Sequence, residues 1–253
     1  MSRSQLPPPL PPETRTVGQL VAEAVRLYGA RFWPSLALGI GPALLAIAAA
    51  DLDGVTRDVV VLGAGPFVLA SSYAGAVALV RPIGRGRYVA VALAVGFVAF
   101  LPVCVSRVWI FPGIYPLALA WLALVGLSVP AALVERRGYS DALRRGVQLA
   151  RADYVHAIGS LATLAITIFL TGLVIFFAIR EGSGQALRVA AVLALAVLAP
   201  IFVLGAAVLY VDQAARVESG PRARRKPNGD VHSAFQPDGA GRADAESEPG
   251  PAP

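Results

Sequence analysis

The chain has a single cysteine and only two histidines in 253 residues. Cys104 alone cannot close an internal disulfide, so the redox context stays open. Flanked by apolar residues, it reads as a small packing residue. His156 and His232 lie far apart, and no Cys or His cluster has metal-ligand spacing, so no metal is expected. Charge is scarce as well. Only 15% of residues are Asp, Glu, Lys or Arg, against about 25% in soluble domains. Acidic side chains are missing from every long apolar run: Asp51, Asp58, Glu135, Glu181 and Asp212 fall at or beyond run ends. That removes the buried carboxylate on which ion-coupled carriers commonly depend. No Walker or dinucleotide fingerprint is present, and Gly84-Arg85-Gly86 is a two-glycine loop rather than a phosphate cradle. No nucleophile, base and orienting group can be assembled from the remaining polar residues. The expectation is therefore no catalytic residue, no cofactor and no enzyme.

What the chain does have is long apolar runs. Hydrophobic residues make up 56% of it, in blocks that read as membrane spans, since about 20 helical residues cross the ~30 Å hydrocarbon core. The runs predict six spans at about 33–50, 59–80, 88–111, 115–133, 155–179 and 189–211. The third and fourth come from one nearly continuous stretch, divided at the Phe111-Pro112-Gly113 turn. The fold class is all-α, a polytopic membrane bundle occupying residues 16–216. A Pro-rich tail (1–15) and a core-less tail (217–253) flank it, and both are expected to be disordered. "LPPPLPP" (6–12) suits polyproline II and "RARRK" (222–226) suits anionic headgroups. The opening "MSRSQLPPPLPPETR" lacks an apolar h-region, so the first span is expected to act as its own insertion signal and to remain in the protein.

The net charge is +6, and nearly all of the positive side chains are arginine. With the N-terminus inside, Arg26, Arg31, Arg81, Arg85, Arg87, the arginines of 136–151 and Arg216 face one side. Arg57, Arg180 and Arg188 face the other. By the positive-inside rule both termini are expected in the cytoplasm, in a bacterial cell (inner) membrane, with the charge directed at lipid and not at nucleic acid.

Two segments are amphipathic and fall outside the spans. In 140–154, with Ser140 as the expected N-cap, Leu143, Val147, Ala150 and Tyr154 share one stripe, and Asp141, Arg144, Arg145, Gln148 and Arg151 lie opposite. In 16–32, Val17, Val21, Ala24 and Tyr28 form the stripe. Such helices tend to lie in the membrane interface. One constant offset carries Val25, Leu27 and Ala30 onto Val147, Leu149 and Ala152, and Phe32 onto Tyr154, which suggests a parallel repeat.

"VGQLVAEAVRLYGARFWPSLAL" (17–38), "FPGIYPLALAWLALVGLSVPAALVERRGYSDALRRGVQLARADY" (111–154) and "LYVDQAARVES" (209–219) occur in that order. Together they resemble a group of bacterial, largely actinobacterial, uncharacterised integral membrane proteins. Those are related to the membrane domain attached to some glycerophosphoryl diester phosphodiesterases. The resemblance implies architecture only, because the catalytic barrel of such enzymes is a separate soluble domain. The chain departs from it at Gly146, where the resembling proteins commonly carry Ser.

The candidate lipid-headgroup residues are Arg137, Arg144, Arg145 and Arg151, and the intramembrane polar candidate is Arg107, one turn from the end of the third span. The expected partners are anionic membrane lipids, with a protein partner or a homo-oligomer also open. The leading reading is a non-enzymatic membrane protein acting at the cytoplasmic leaflet. The alternative is a permease for a small or lipid-like substrate, for which the Gly/Pro pairs of "GIGP" (39–42) and "GAGP" (63–66) would loosen the first two spans. Close helix packing is the plainer explanation of those glycines. Thr163, Thr167 and Thr171 either line a polar seam or bond back to their own helix.

Overall fold

The computed structural model describes Pro12 and residues 15–108, 113–180 and 182–223. Expectations for residues 1–11 and 224–253, and for the turn at 111–112, lie outside the described residues. The described chain is built of helices: α1 Val17–Ala30, α2 Phe32–Ala50, α3 Gly54–Val80, α4 Arg87–Val108, α5 Ile114–Val125, α6 Ser128–Val134, α7 Tyr139–Ala152, α8 Tyr154–Ile179 and α9 Gly184–Ala223. Six are long and apolar enough to cross a membrane when α5 and α6 are taken as one span, Ile114–Val134. The protein is an all-α, multi-pass membrane bundle.

The helices cover the expected apolar runs, with α3 and α9 each starting five residues earlier and residues 109–111 of the third run outside the described residues; two further differences concern the fourth and last spans. The fourth span is interrupted at Gly126 and Leu127. Pro130 accounts for this, because it has no N–H to return to the carbonyl four residues back and is tolerated in the first turn of a new helix. The last helix reaches Ala223, so the tail expected from 217 begins inside a helix. Val217 still packs on the core, which gives the chain an apolar reason to stay helical there.

Small residues set the packing. A Cβ on Gly39 of α2 would meet the backbone of Ala196 in α9, with the Ala196 Cα at 2.9 Å. On Gly65 of α3 it would meet Cys104 Sγ of α4 at 2.8 Å. Gly39 and Gly65 are therefore close-packing sites, and Cys104 is buried, as its apolar flanks suggest. Through its buried stretch 203–210, α9 threads the core, and Tyr73 of α3 donates to the Ala206 carbonyl at 3.2 Å. The three threonines of α8 donate to the carbonyls of Gly159, Thr163 and Thr167, each at 2.8 Å, which settles them as back-bonded.

The short helices α1 and α7 keep the offset seen in the sequence. The step that carries Val17 to Tyr139 also carries Ala30 to Ala152 and the single-residue hinge Arg31 to Asp153. Both hinges leave the helical region, at φ −128° and φ −154°, before a span begins. Helix–hinge–span thus occurs twice in register. Thr16 caps α1 in a reciprocal box with Gln19. The N-cap of α7 is Gly138 and not Ser140, which stands one residue inside the first turn.

Candidate functional site

The loops and hinges that lead into α1, α7 and the spans after them share one end of the bundle. Arg31 Nη1 donates to the Leu79 carbonyl at the end of α3 at 2.7 Å. The Gly84 N–H in the α3–α4 loop donates to Leu133 O at the end of α6 at 2.7 Å. At this end stand Arg15, Arg26, Arg81, Arg85, Arg136, Arg137, the arginines of α7 and Arg216. The opposite end carries Arg57, Arg107, Arg180 and Arg188 beside Asp51, Asp53 and Asp58. Arg107 is exposed on the last turn of α4, away from the other candidates.

The basic end contains two polar clusters. The first is organised by Glu135, the C-cap of α6. The next residue, Arg136, takes the left-handed conformation at φ 54° and turns the chain toward α7. Glu135 accepts from Arg137 Nε at 2.6 Å, from Arg145 Nε at 3.0 and 3.1 Å, and from the Tyr210 hydroxyl of α9 at 3.1 Å. Burial pushes its pKa up, but hydrogen bonds from Arg145 and Arg137 and the charge of Arg145 outweigh this and hold it below the ordinary value. Arg145 also donates to Gln148 Oε1 at 3.1 Å.

The second cluster was not foreseen. Asp212, read as lying at or beyond the end of the last span, and Gln213 after it are fully buried on α9. Arg15 bonds Asp212 Oδ1 at 2.9 Å. Arg216 bonds Asp153 Oδ2 and the Arg15 carbonyl, each at 2.9 Å, and lies 3.4 Å from His156 Nε2. Gln213 Nε2 donates to the Asp153 carbonyl at 3.1 Å. This network ties the chain before α1, the α7–α8 hinge and α9 together. The usable signal was Asp212 and Arg216 at i and i+4 inside a helical run that stays apolar through Val217. His156, in the first turn of α8, faces this network.

The four candidate arginines of the central segment separate into two pairs. Arg137 and Arg145 are bound to Glu135, with the Arg145 side chain only 15% exposed. Arg144 and Arg151 are exposed and, among the described residues, pair with no carboxylate. They border an open groove of ≈ 730 Å³ between α7 and α9, lined also by Leu143, Val147, Gln148 and Val217. The buried face of α7 is Ala142, Gly146, Leu149 and Ala150. Of the apolar stripe, Ala150 is buried and Leu143 and Tyr154 pack on the core, while Leu143 and Val147 also reach the groove margin. The lack of a side chain at Gly146 allows close contact with Ser128 at the start of α6. No known protein family, characterised protein or solved structure matches the chain. What this end of the molecule can do therefore rests on its own geometry: apolar surface beside cationic donors, with Glu135 and Asp153 already paired and Asp141 exposed on the first turn of α7.

Proposed function

We propose that this chain is a non-enzymatic integral protein of a bacterial cell (inner) membrane that works by contacts between its basic end and anionic lipid headgroups. Both termini would lie in the cytoplasm. The observation that carries the reading is the pairing pattern at that end: Glu135 and Asp153 neutralise Arg137, Arg145 and Arg216, while Arg81, Arg85, Arg144 and Arg151 stay exposed. Each Arg near an anionic leaflet contributes on the order of 1 kcal/mol. A bundle whose enclosed cavity is ≈ 10 Å³ with walls such as Phe100, Leu122, Leu161 and Phe202 supports contact at the surface rather than passage through the middle.

Thermal unfolding of the purified protein in nanodiscs tests this. With phosphatidylglycerol mixed into phosphatidylcholine, Tm is expected to rise by about 5 °C over pure phosphatidylcholine. An unchanged Tm would sink the reading, and flux of a solute through proteoliposomes would favour the permease. Orientation has its own test. A cysteine introduced at Ser183, between α8 and α9, should react with a membrane-impermeant maleimide on intact cells. One at Ser140 should react only after lysis. Cys104 is buried and gives little background. The reverse pattern would overturn the topology.

A further inference from the structure

We propose that the groove between α7 and the end of α9 seats one anionic phospholipid. Its phosphate is held by Arg144 and Arg151, and the upper part of an acyl chain lies against Leu143, Val147 and Val217. The proposal rests on the reading that the basic end meets anionic lipid, and adds that the contact is a discrete site rather than a diffuse positive face.

The groove is an open depression of ≈ 730 Å³, which a headgroup and the start of an acyl chain could enter from the side. It is amphipathic along its length. Arg144 and Arg151 are two turns apart, about 10 Å along the helix, on one side of α7, and Gln148 stands between them. Leu143 and Val147 run parallel one residue away, with Val217 of α9 opposite. Its polar wall presents donors. Arg145 occupies Gln148 Oε1 at 3.1 Å, leaving the Gln148 amide hydrogens for the groove, and no carboxylate lines it. The groove also sits at the right depth, because α7 joins the end of one span (Val134) to the start of the next (Tyr154).

The repeated helix–hinge–span unit supplies an internal control. In α1 the positions matching Arg144 and Arg151 are Ala22 and Gly29, while those matching Leu143 and Val147 are Val21 and Val25. The unit folds without arginine at those two places. The fold of α7 therefore does not depend on Arg144 and Arg151, which leaves both side chains available to an anionic ligand.

The test is native mass spectrometry of the full chain with phosphatidylglycerol titrated against a phosphatidylcholine background. Wild type is expected to keep one phosphatidylglycerol per chain. R144Q/R151Q should bind it roughly thirtyfold more weakly, from about one contribution per arginine. R81Q/R85Q, which removes two exposed arginines of the same end outside the groove, should lose only the general attraction of that end and still retain one phosphatidylglycerol, clearly tighter than R144Q/R151Q. V147D keeps every arginine but sets a carboxylate among them. It should also weaken binding, which covers the case in which the double variant folds poorly. Equal weakening by R144Q/R151Q and R81Q/R85Q would overturn the groove while leaving a diffuse lipid contact standing. Phosphatidylcholine retained as well as phosphatidylglycerol by wild type would overturn both.

Discussion

Replacing Gly146 by leucine is expected to lower stability by about 3 kcal/mol, the upper end of the usual cost of overpacking. Gly146 of α7 sits against the start of α6. A Cβ there would meet Ser128 Oγ and, behind it, Ser128 N at 2.5 Å and Ser128 Cα at 2.7 Å. A flexible side chain can swing aside, but two of these atoms are backbone, fixed where the fourth span restarts after Gly126 and Leu127. The gain in helix propensity on leaving glycine, about 1 kcal/mol at most, is smaller than the clash. Gly159 of α8 is the contrasting site, since a Cβ there meets nothing within 4 Å. G159A should therefore be neutral or slightly stabilising in the same assay. Thermal unfolding in one detergent decides it: a Gly146→Leu protein as stable as wild type would mean that α7 does not sit on α6 as described.

The position also marks how far the sequence can be read. Six spans were legible because an apolar run of about 20 residues has few other uses, and among the described residues the helices cover those runs. The break inside Ile114–Val134 was less legible, although Pro130 stands in plain view. Proline is common in membrane helices, so its presence did not say whether the helix would bend or stop. The contact of α7 with α6 was hidden for a different reason. Hydropathy marks Leu143, Val147, Ala150 and Tyr154 as the apolar stripe, whereas the close approach to α6 is made at Gly146, where the lack of a side chain permits it.

The candidate site was legible as a list but not as an arrangement. Arg137, Arg144, Arg145 and Arg151 are chemically alike in the sequence. What separates them is the place of one carboxylate, Glu135, which reaches back across the turn at Arg136 to hold two of the four. The buried pair Asp212 and Gln213 was hidden because a charge after an apolar run normally marks the end of a span. Here the helix continues, and Arg15, from far away in the chain, supplies the partner that makes burial tolerable.

Removing the Glu135 carboxylate is the second large effect expected. In Glu135→Ala, Arg145 keeps its half-buried place beside Arg137 with no counter-charge, and the Tyr210 hydroxyl loses its acceptor. Breaking a buried pair costs about 3–5 kcal/mol, and the partial exposure of this cluster puts the expected loss near about 3 kcal/mol. Changing Arg145 to Gln as well should recover part of it, because the stranded charge is then gone. An additive double variant would mean that the two residues are not coupled. The same cluster sets an acid limit. The folded Glu135 carboxyl is held below its ordinary value of 4.5, so in acid the unfolded chain binds a proton before the folded one does. Its stabilisation is complete above 4.5 and is lost as pH falls through the lower folded value. Glu23, lowered by its hydrogen bond from Arg26, acts in the same direction. Wild-type Tm should therefore fall on acidification below pH 4.5, and Glu135→Gln should start lower and fall less steeply, retaining only the slope from Glu23 and other carboxylates. Parallel profiles for the two proteins would show that Glu135 does not carry the acid sensitivity of the α6–α7 junction.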